Sequence, residues 1–152
     1  MTYLEPTPES GRRFFASDIQ GEVIMLNLLR FREVADYSNA PHAAPSVPIT
    51  GQQAFDRYIS LALPCLQKTG GDLMFLGRSG YFLIGPHDEK WDCVMLVKQK
   101  SKEAMLSMTN DADYIASLAH RNAALEDSRL LPIRIDDGHR HRITTAKLAH
   151  RP

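Results

Sequence analysis

The chain has 152 residues, of which 43% are hydrophobic and 24% charged, and its formal net charge is zero. These values are typical of one soluble globular domain. No stretch is long enough to span a bilayer, and no basic segment with an apolar core opens the chain, so we expect no membrane partner, no signal peptide and a cytosolic location.

The charge is unevenly distributed along the chain. Residues 138–152 contain four basic side chains and no acid, so the other 137 residues carry a net charge of −4, which disfavours nucleic-acid binding by the body of the domain. We expect a single domain with a leading helix over residues 1–135. A basic C-terminal extension over residues 136–152 should follow, as an attachment tail or a solvated segment. His139 and His141 lie in it, and two ligands alone make a poor metal site, so no metal is expected.

The segment from Val23 to Phe31 is the most informative pattern in the sequence. Apolar residues occupy both alternating sets of this predicted strand, whereas a strand with one wet face alternates apolar and polar residues. The strand is therefore expected to be covered on both faces. Each face carries one polar residue, Asn27 or Arg30, and such a residue must either be hydrogen-bonded or line a pocket.

Two helix starts are recognisable from their capping residues. Thr7 precedes Pro8, a residue favoured at the first helical position, so a short helix is expected to follow. Thr50 precedes an apolar stripe of helical spacing that predicts a helix to about Lys68, with a kink at Pro64. The proline-rich residues 35–48 between the first strand and this helix predict an unusually long loop, either a lid over a binding site or a surface segment.

The second half of the chain predicts further strands and two more helices. The expected strands are residues 72–77, 81–85, 92–100 and 128–135, with the first two forming a hairpin around residues 78–80. Between the last two strands, Ser101 should cap one helix, and Asp111 or Asp113 should cap another. Cys65 and Cys93 are not in a Cys-x-x-Cys pair, and we interpret both as small buried residues.

This order of elements predicts an α+β fold, a ferredoxin-like split βαβ sandwich with an antiparallel sheet. The helices of such a fold cover only one face of its sheet. Because residues 23–31 and 92–98 are apolar on both sides, the other face also needs a cover. A second sheet from an identical chain would supply it, so we expect a homodimer.

Three strings together resemble an uncharacterised family, a domain of unknown function within the dimeric α/β-barrel superfamily. They are Asn27-Leu28-Leu29-Arg30-Phe31-Arg32, Leu83-Ile84-Gly85-Pro86 followed by Trp91-Asp92, and the run from His120-Arg121-Asn122 to Leu130. The resemblance covers roughly residues 3–133. It implies a ferredoxin-like fold and a homodimer whose two sheets form a barrel, but no particular reaction. The loop at 40–48 and the extension after Ile135 depart from the family pattern.

His120 and Arg121 are the candidate catalytic residues. They are adjacent on a helix predicted to face the core, and they combine a group that exchanges protons near neutral pH with a fixed cation that can bind a carboxylate or enolate. The alternative is structural: His120 would bond a neighbouring carbonyl, and Arg121 would pair with Glu126, Asp127 or a carboxylate across the sheet.

Asn27, Arg30 and Tyr58 are the candidate ligand-binding residues. Asn27 could donate to an oxyanion, and Arg30 could anchor an acidic ligand or a dimer contact. The two point to opposite faces of one strand and cannot share a pocket unless a bulge intervenes. Tyr58 lies in an apolar helix stripe, which favours a core tyrosine with a satisfied hydroxyl over a proton donor.

Two functions of different classes fit this sequence. One is a cofactor-free enzyme, such as an isomerase or monooxygenase, acting on an acidic or enolisable organic molecule. The other is a non-catalytic dimeric domain that binds a small molecule. No Gly-rich phosphate loop and no nucleophile elbow is present, so no cofactor is expected.

Overall fold

A computed structural model describes residues 1–136 of the chain. Its helices are α1 (Pro8–Phe15), α2 (Gly51–Lys68), α3 (Lys102–Thr109) and α4 (Ala112–Ala124), and its strands are β1 (Val23–Phe31), β2 (Asp72–Arg78), β3 (Cys93–Gln99) and β4 (Leu125–Arg134). A short 3-10 helix spans Pro41–Ala43. None of the helices within this part of the chain is both long and apolar enough to cross a membrane.

The four strands form one antiparallel sheet in the order β2-β3-β1-β4. Helix α2 connects β1 to β2, and the pair α3 and α4 connects β3 to β4. This is the ferredoxin-like arrangement, so the predicted α+β fold class is confirmed.

The helix starts follow the capping residues read from the sequence. Thr7 and Thr50 each accept a hydrogen bond from the backbone three residues later, and Ser10 and Gln53 reciprocate in capping boxes. Ser101 likewise caps α3. Helix α2 ends at Lys68, as the sequence pattern indicated, and contains Pro64; the kink expected at this proline stays a prediction.

Strand β1 places its two sets of side chains on different faces of the sheet. Val23, Met25, Asn27 and Leu29 are buried beneath the helices. The alternate residues, which include Leu26 and Leu28, are only partly buried because no element of the described chain covers their face. We call this second surface the open face; it also carries Phe75, Val94, Leu96, Leu131 and Ile133, which the strand registers place beside these residues.

The hydrophobic core lies between the sheet and α2 and α4. Among its buried members are Leu29, Phe55, Met95 and Leu125. Cys65 and Cys93 are free and buried, as interpreted from the sequence, and burial raises the pKa of both thiols. They are inert packing residues because thiols with raised pKa values form little thiolate near neutral pH.

The predicted strand at residues 81–85 is wrong. Only Tyr81 makes an isolated bridge, to Lys90, and β2 pairs directly with β3. Residues 79–92 instead form a loop, in which the Leu83 and Ile84 side chains are 99% and 91% exposed. Residues 81–85 are a continuous apolar run, and such a run indicates burial without showing whether a neighbouring strand of the same chain covers it.

The long loop between β1 and α2 is tied to the body of the domain. The Asp36 amide donates to the carbonyl of Ala123, and the Ala35 amide donates to that of Ile49. Tyr37 is buried against the core. The base of the loop is therefore fixed to the end of α4, and its outer part carries the 3-10 turn. The predicted basic extension at residues 136–152 lies, except for Asp136, outside the described residues.

Candidate functional site

A cavity of about 430 Å³ lies between the helix-facing side of the sheet and α2, α3 and α4. Ligand pockets in proteins commonly measure roughly 300–1,000 Å³ and are mostly apolar with a few polar groups. Four methionines contribute to its wall: Met25, Met95, Met105 and Met108. Methionine side chains are flexible and polarisable, so this wall can adapt to apolar or aromatic groups of varied shape.

Asn27 extends from the middle of β1 into the wall of this cavity. Its amide nitrogen donates to the carbonyls of Met25 and Met95, at 3.2 and 3.4 Å. Both of its N–H groups are thus used within the sheet. The expected donation to an oxyanion does not fit this geometry.

Tyr58 lines the same cavity from α2 and is 8% exposed. Its hydroxyl lies 3.4 Å from the hydroxyl of Tyr114 on α4. Burial, together with the neighbouring Tyr114, raises the pKa of Tyr58 far above its ordinary value, so the hydroxyl stays protonated. This matches a core tyrosine whose hydroxyl has a partner.

Arg121 reaches the cavity from α4. Its Nη1 atom donates to the carbonyl of Leu4 at 2.6 Å, which joins α4 to the N-terminal segment. Within residues 1–136, none of the expected carboxylates pairs with Arg121. A guanidinium has five N–H donors, so the remaining ones can meet an acidic group.

Gln99, at the end of β3, is a cavity residue that sequence reasoning missed. It is only 2% exposed, and its Oε1 atom has no hydrogen-bond partner. Tyr114 was also missed as a cavity residue. A glutamine at the end of a strand is ordinarily a surface residue. Strand alternation places Gln99 on the same side of the predicted strand 92–100 as Cys93, Met95 and Val97, so its face could be predicted. Its burial could not, because that depends on α3 folding over the end of β3.

His120 does not line the cavity and is not brought together with Arg121. Its Nδ1 atom lies 2.7 Å from the hydroxyl of Tyr37 in the loop before α2. Burial, and to a lesser extent the charge of Arg57, lowers the pKa of His120, while burial raises the pKa of Tyr37. The tyrosine therefore donates its proton to a neutral imidazole.

Arg30 projects from the open face, away from Asn27 and from the cavity. Its Nε and Nη2 atoms donate to the carbonyl of Lys90, at 3.0 and 2.7 Å, and its guanidinium lies over the Trp91 ring. Its Nη1 atom also lies 3.6 Å from the buried carboxylate of Asp127. These contacts tie β1, β4 and the loop before β3 together.

A second, more open cleft of about 570 Å³ lies where β1 and β2 meet the start of α2. Most of its lining residues are exposed, and several are charged, among them Arg78 and Lys90. Its wall is less apolar than that of the first cavity. Within residues 1–136, no three His, Cys, Asp or Glu side chains are close enough together to hold a metal ion.

The chain is similar to the solved structure of RPA0582, a protein of unknown function from Rhodopseudomonas palustris. It is 34% identical over 90% of this chain and 98% of its own length, with a TM-score of 0.77. This chain belongs to the same family as RPA0582. Methylated RPA0582 gives 35% identity over 90% of this chain and 97% of its own, with a TM-score of 0.79.

These relatives are themselves of unknown function, so the resemblance to an uncharacterised family is confirmed. A dimeric ferredoxin-like protein of unknown function from Thermobifida fusca YX is 12% identical, over 78% of this chain and 93% of its own, with a TM-score of 0.44. No family model matches the chain, and the curated proteins contain no match.

Proposed function

We propose that the chain binds a small amphipathic carboxylic acid in the cavity between the sheet and the helices. The observation that carries this proposal is Arg121, a cation at the wall of a mostly apolar cavity with no carboxylate partner among the described residues. A guanidinium binds a carboxylate by two parallel hydrogen bonds, and these gain strength where water is excluded. The methionine-rich wall suits the apolar part of the ligand.

Binding is a better account of this cavity than catalysis. Its titratable lining residues within the described chain are Glu5, Tyr58, Tyr114 and Arg121. Burial raises the pKa of Tyr58, so its hydroxyl stays protonated and does not act as a base near neutral pH. His120, the expected acid–base group, contacts Tyr37 instead. A cofactor-free isomerase or monooxygenase reaction has less support from this geometry.

A thermal-shift screen of aliphatic and aromatic carboxylic acids tests the proposal. We expect some acids to stabilise the parent and to lose this effect in Arg121→Gln, while Arg12→Gln, a change at an exposed arginine of α1, keeps it. The affinity for the acid should be roughly tenfold lower or more in Arg121→Gln than in the parent, because the variant lacks the charged hydrogen-bonding partner. Equal stabilisation of all three proteins, or stabilisation of none by any acid, would contradict the proposal.

We further propose that two copies of this chain associate through their open faces. The face presents a contiguous set of apolar side chains on all four strands, and a stable monomer rarely exposes such a surface. Two identical faces related by a two-fold axis can be self-complementary. A second copy of this chain is therefore the favoured partner for the open face. The exposed Leu83 and Ile84 lie in the loop that joins β2 to β3 and would extend the contact beyond the sheet.

A further inference from the structure

We propose that Gln99 selects, among amphipathic acids, those that carry a hydrogen-bond donor at the end remote from the carboxylate. This inference rests on the proposed binding function and adds the second polar requirement of the ligand. The ligand class would be an ω-hydroxy or ω-amide carboxylic acid rather than a simple alkanoic acid.

The orientation of the Gln99 amide follows from its neighbour Met108. The Nε2 atom of Gln99 lies 3.8 Å from the sulfur of Met108. A thioether sulfur accepts hydrogen bonds weakly and donates none. The nitrogen therefore faces the sulfur, and the oxygen of the amide has no hydrogen-bond donor beside it. That oxygen is fully buried and has no partner.

An unpartnered buried carbonyl is costly. Leaving such an acceptor unsatisfied costs about 1–3 kcal/mol, and native proteins contain few such groups. Because Gln99 lines the cavity and its nitrogen is held only by a weak contact to sulfur, rotation of the side-chain amide would bring the oxygen to a ligand donor without rearrangement of the fold. Hydroxyl and amide groups are donors of this kind.

The strand register places the two polar groups toward opposite ends of the cavity. Arg121 binds Leu4, whose neighbour Tyr3 is bonded to Ser128 of β4. Ser128 is opposite Leu29 near one end of β1, whereas Gln99 is opposite Val23 at the other end. The wall between them includes Met95 and Val97. An apolar spacer that separates two polar ends fits this distribution, with the carboxylate near Arg121 and the donor near Gln99.

Matched pairs of acids test the assignment. Isothermal titration would compare ω-hydroxydecanoic acid with decanoic acid, and a shorter and a longer homologue of each, on the parent protein and on Gln99→Met. The methionine keeps the length of the side chain and removes the acceptor. Gln67→Met, a change at an exposed glutamine of α2, is the control. A second variant, Gln99→Leu, keeps the test valid if one substitution packs poorly.

We expect the parent and Gln67→Met to bind the hydroxy acid about tenfold more tightly than the plain acid, since one further hydrogen bond forms in a dry site. Gln99→Met and Gln99→Leu should lose this preference and bind the plain acid at least as tightly as the parent. Binding of both acids without preference in the parent overturns the role of Gln99 and leaves the proposed function standing. A preference that survives both Gln99 variants also overturns it, and absence of binding by every acid overturns both proposals.

Discussion

The hydroxyl of Tyr37 and Nδ1 of His120 are joined by a 2.7 Å hydrogen bond between the long loop and α4. The bond needs a neutral imidazole as the acceptor. Burial holds the pKa of His120 below its ordinary value of 6.5, with a smaller contribution from the charge of Arg57. The folded state thus binds a proton at this site less readily than the unfolded state.

The contact predicts a pH-dependent stability. A lowered pKa means that the unfolded chain takes up the proton first, so the contribution of His120 is complete above about pH 6.5 and is lost as the pH falls below it. His120→Gln removes the titrating group and retains an acceptor. We expect the parent to lose more unfolding free energy than His120→Gln between about pH 7.5 and pH 5.5, as measured by urea denaturation. Parallel curves for the two proteins would contradict this.

Tyr37→Phe should lower the free energy of unfolding at neutral pH by about 1 kcal/mol, the usual net value of one hydrogen bond. Urea denaturation of the variant and the parent measures the difference. Tyr81→Phe is the matched control, because Tyr81 is 68% exposed and its loss should have no effect. A similar effect of both substitutions would mean that the bond between Tyr37 and His120 does not stabilise the loop.

Association through the open face should be sensitive to a single charge. Leu131 lies on that face and is 58% exposed, whereas Leu61 is a comparably exposed leucine, at 48%, on the outer side of α2. We expect Leu131→Glu to sediment as a monomer and Leu61→Glu to behave as the parent, because a buried unpaired charge is strongly unfavourable. A parent protein that sediments as a stable monomer at micromolar concentration would refute the homodimer.

The loop that carries Leu83 and Ile84 should contribute to association and not to folding of the protomer. The double variant Leu83→Ser and Ile84→Ser removes apolar area that is fully exposed in one chain, so the protomer itself loses nothing. We expect a weaker dimer by analytical ultracentrifugation. Val47→Ser, at an exposed position of the other long loop, should leave association unchanged. Equal dimer affinities for the two variants would exclude the loop from the interface.

Asp127 should be the carboxylate most important for stability. Burial opposes its ionisation, but hydrogen bonds from the Tyr3 and Ser128 amides and from Arg129 hold its pKa below its ordinary value. Asp127→Ala removes the acceptor of the Tyr3 amide and the anionic partner of Arg30 and Arg129, so we expect a loss of about 3 kcal/mol in urea denaturation at neutral pH. Asp88→Ala, in the exposed loop, is the control, and a loss under 1 kcal/mol at Asp127 would contradict the role.

The sequence predicted the fold more completely than the site. Caps such as Thr50 and the apolar pattern of β1 are local signals, and the structure follows both. Strand alternation also predicted that Asn27 and Arg30 face opposite sides, as they do. The prediction that His120 and Arg121 act in one site rested on their adjacency in sequence. Consecutive helix residues point about 100° apart, which disfavours a shared pocket. Of the two, only Arg121 reaches the cavity.

Tertiary packing determines the features that the sequence did not predict. The orphaned oxygen of Gln99 exists only because α3 covers the end of β3. The partner of His120 comes from a residue 83 positions earlier in the chain. Neither the cover of Gln99 by α3 nor the contact of His120 with Tyr37 follows from a sequence motif or from a periodic pattern. The apolar run at residues 81–85 gave a clear signal of burial, but its covering surface is not within the described chain.

The N-terminal segment matters for how this protein should be handled. Tyr3 is bound to β4 through both its amide and its carbonyl, and Leu4, Glu5 and Pro6 form part of the cavity wall. An affinity tag fused before Met1 would therefore be attached only a few residues from the proposed ligand site. We expect such fusions to change ligand affinity and apparent melting temperature. Ligand screening is therefore best done after the tag has been removed.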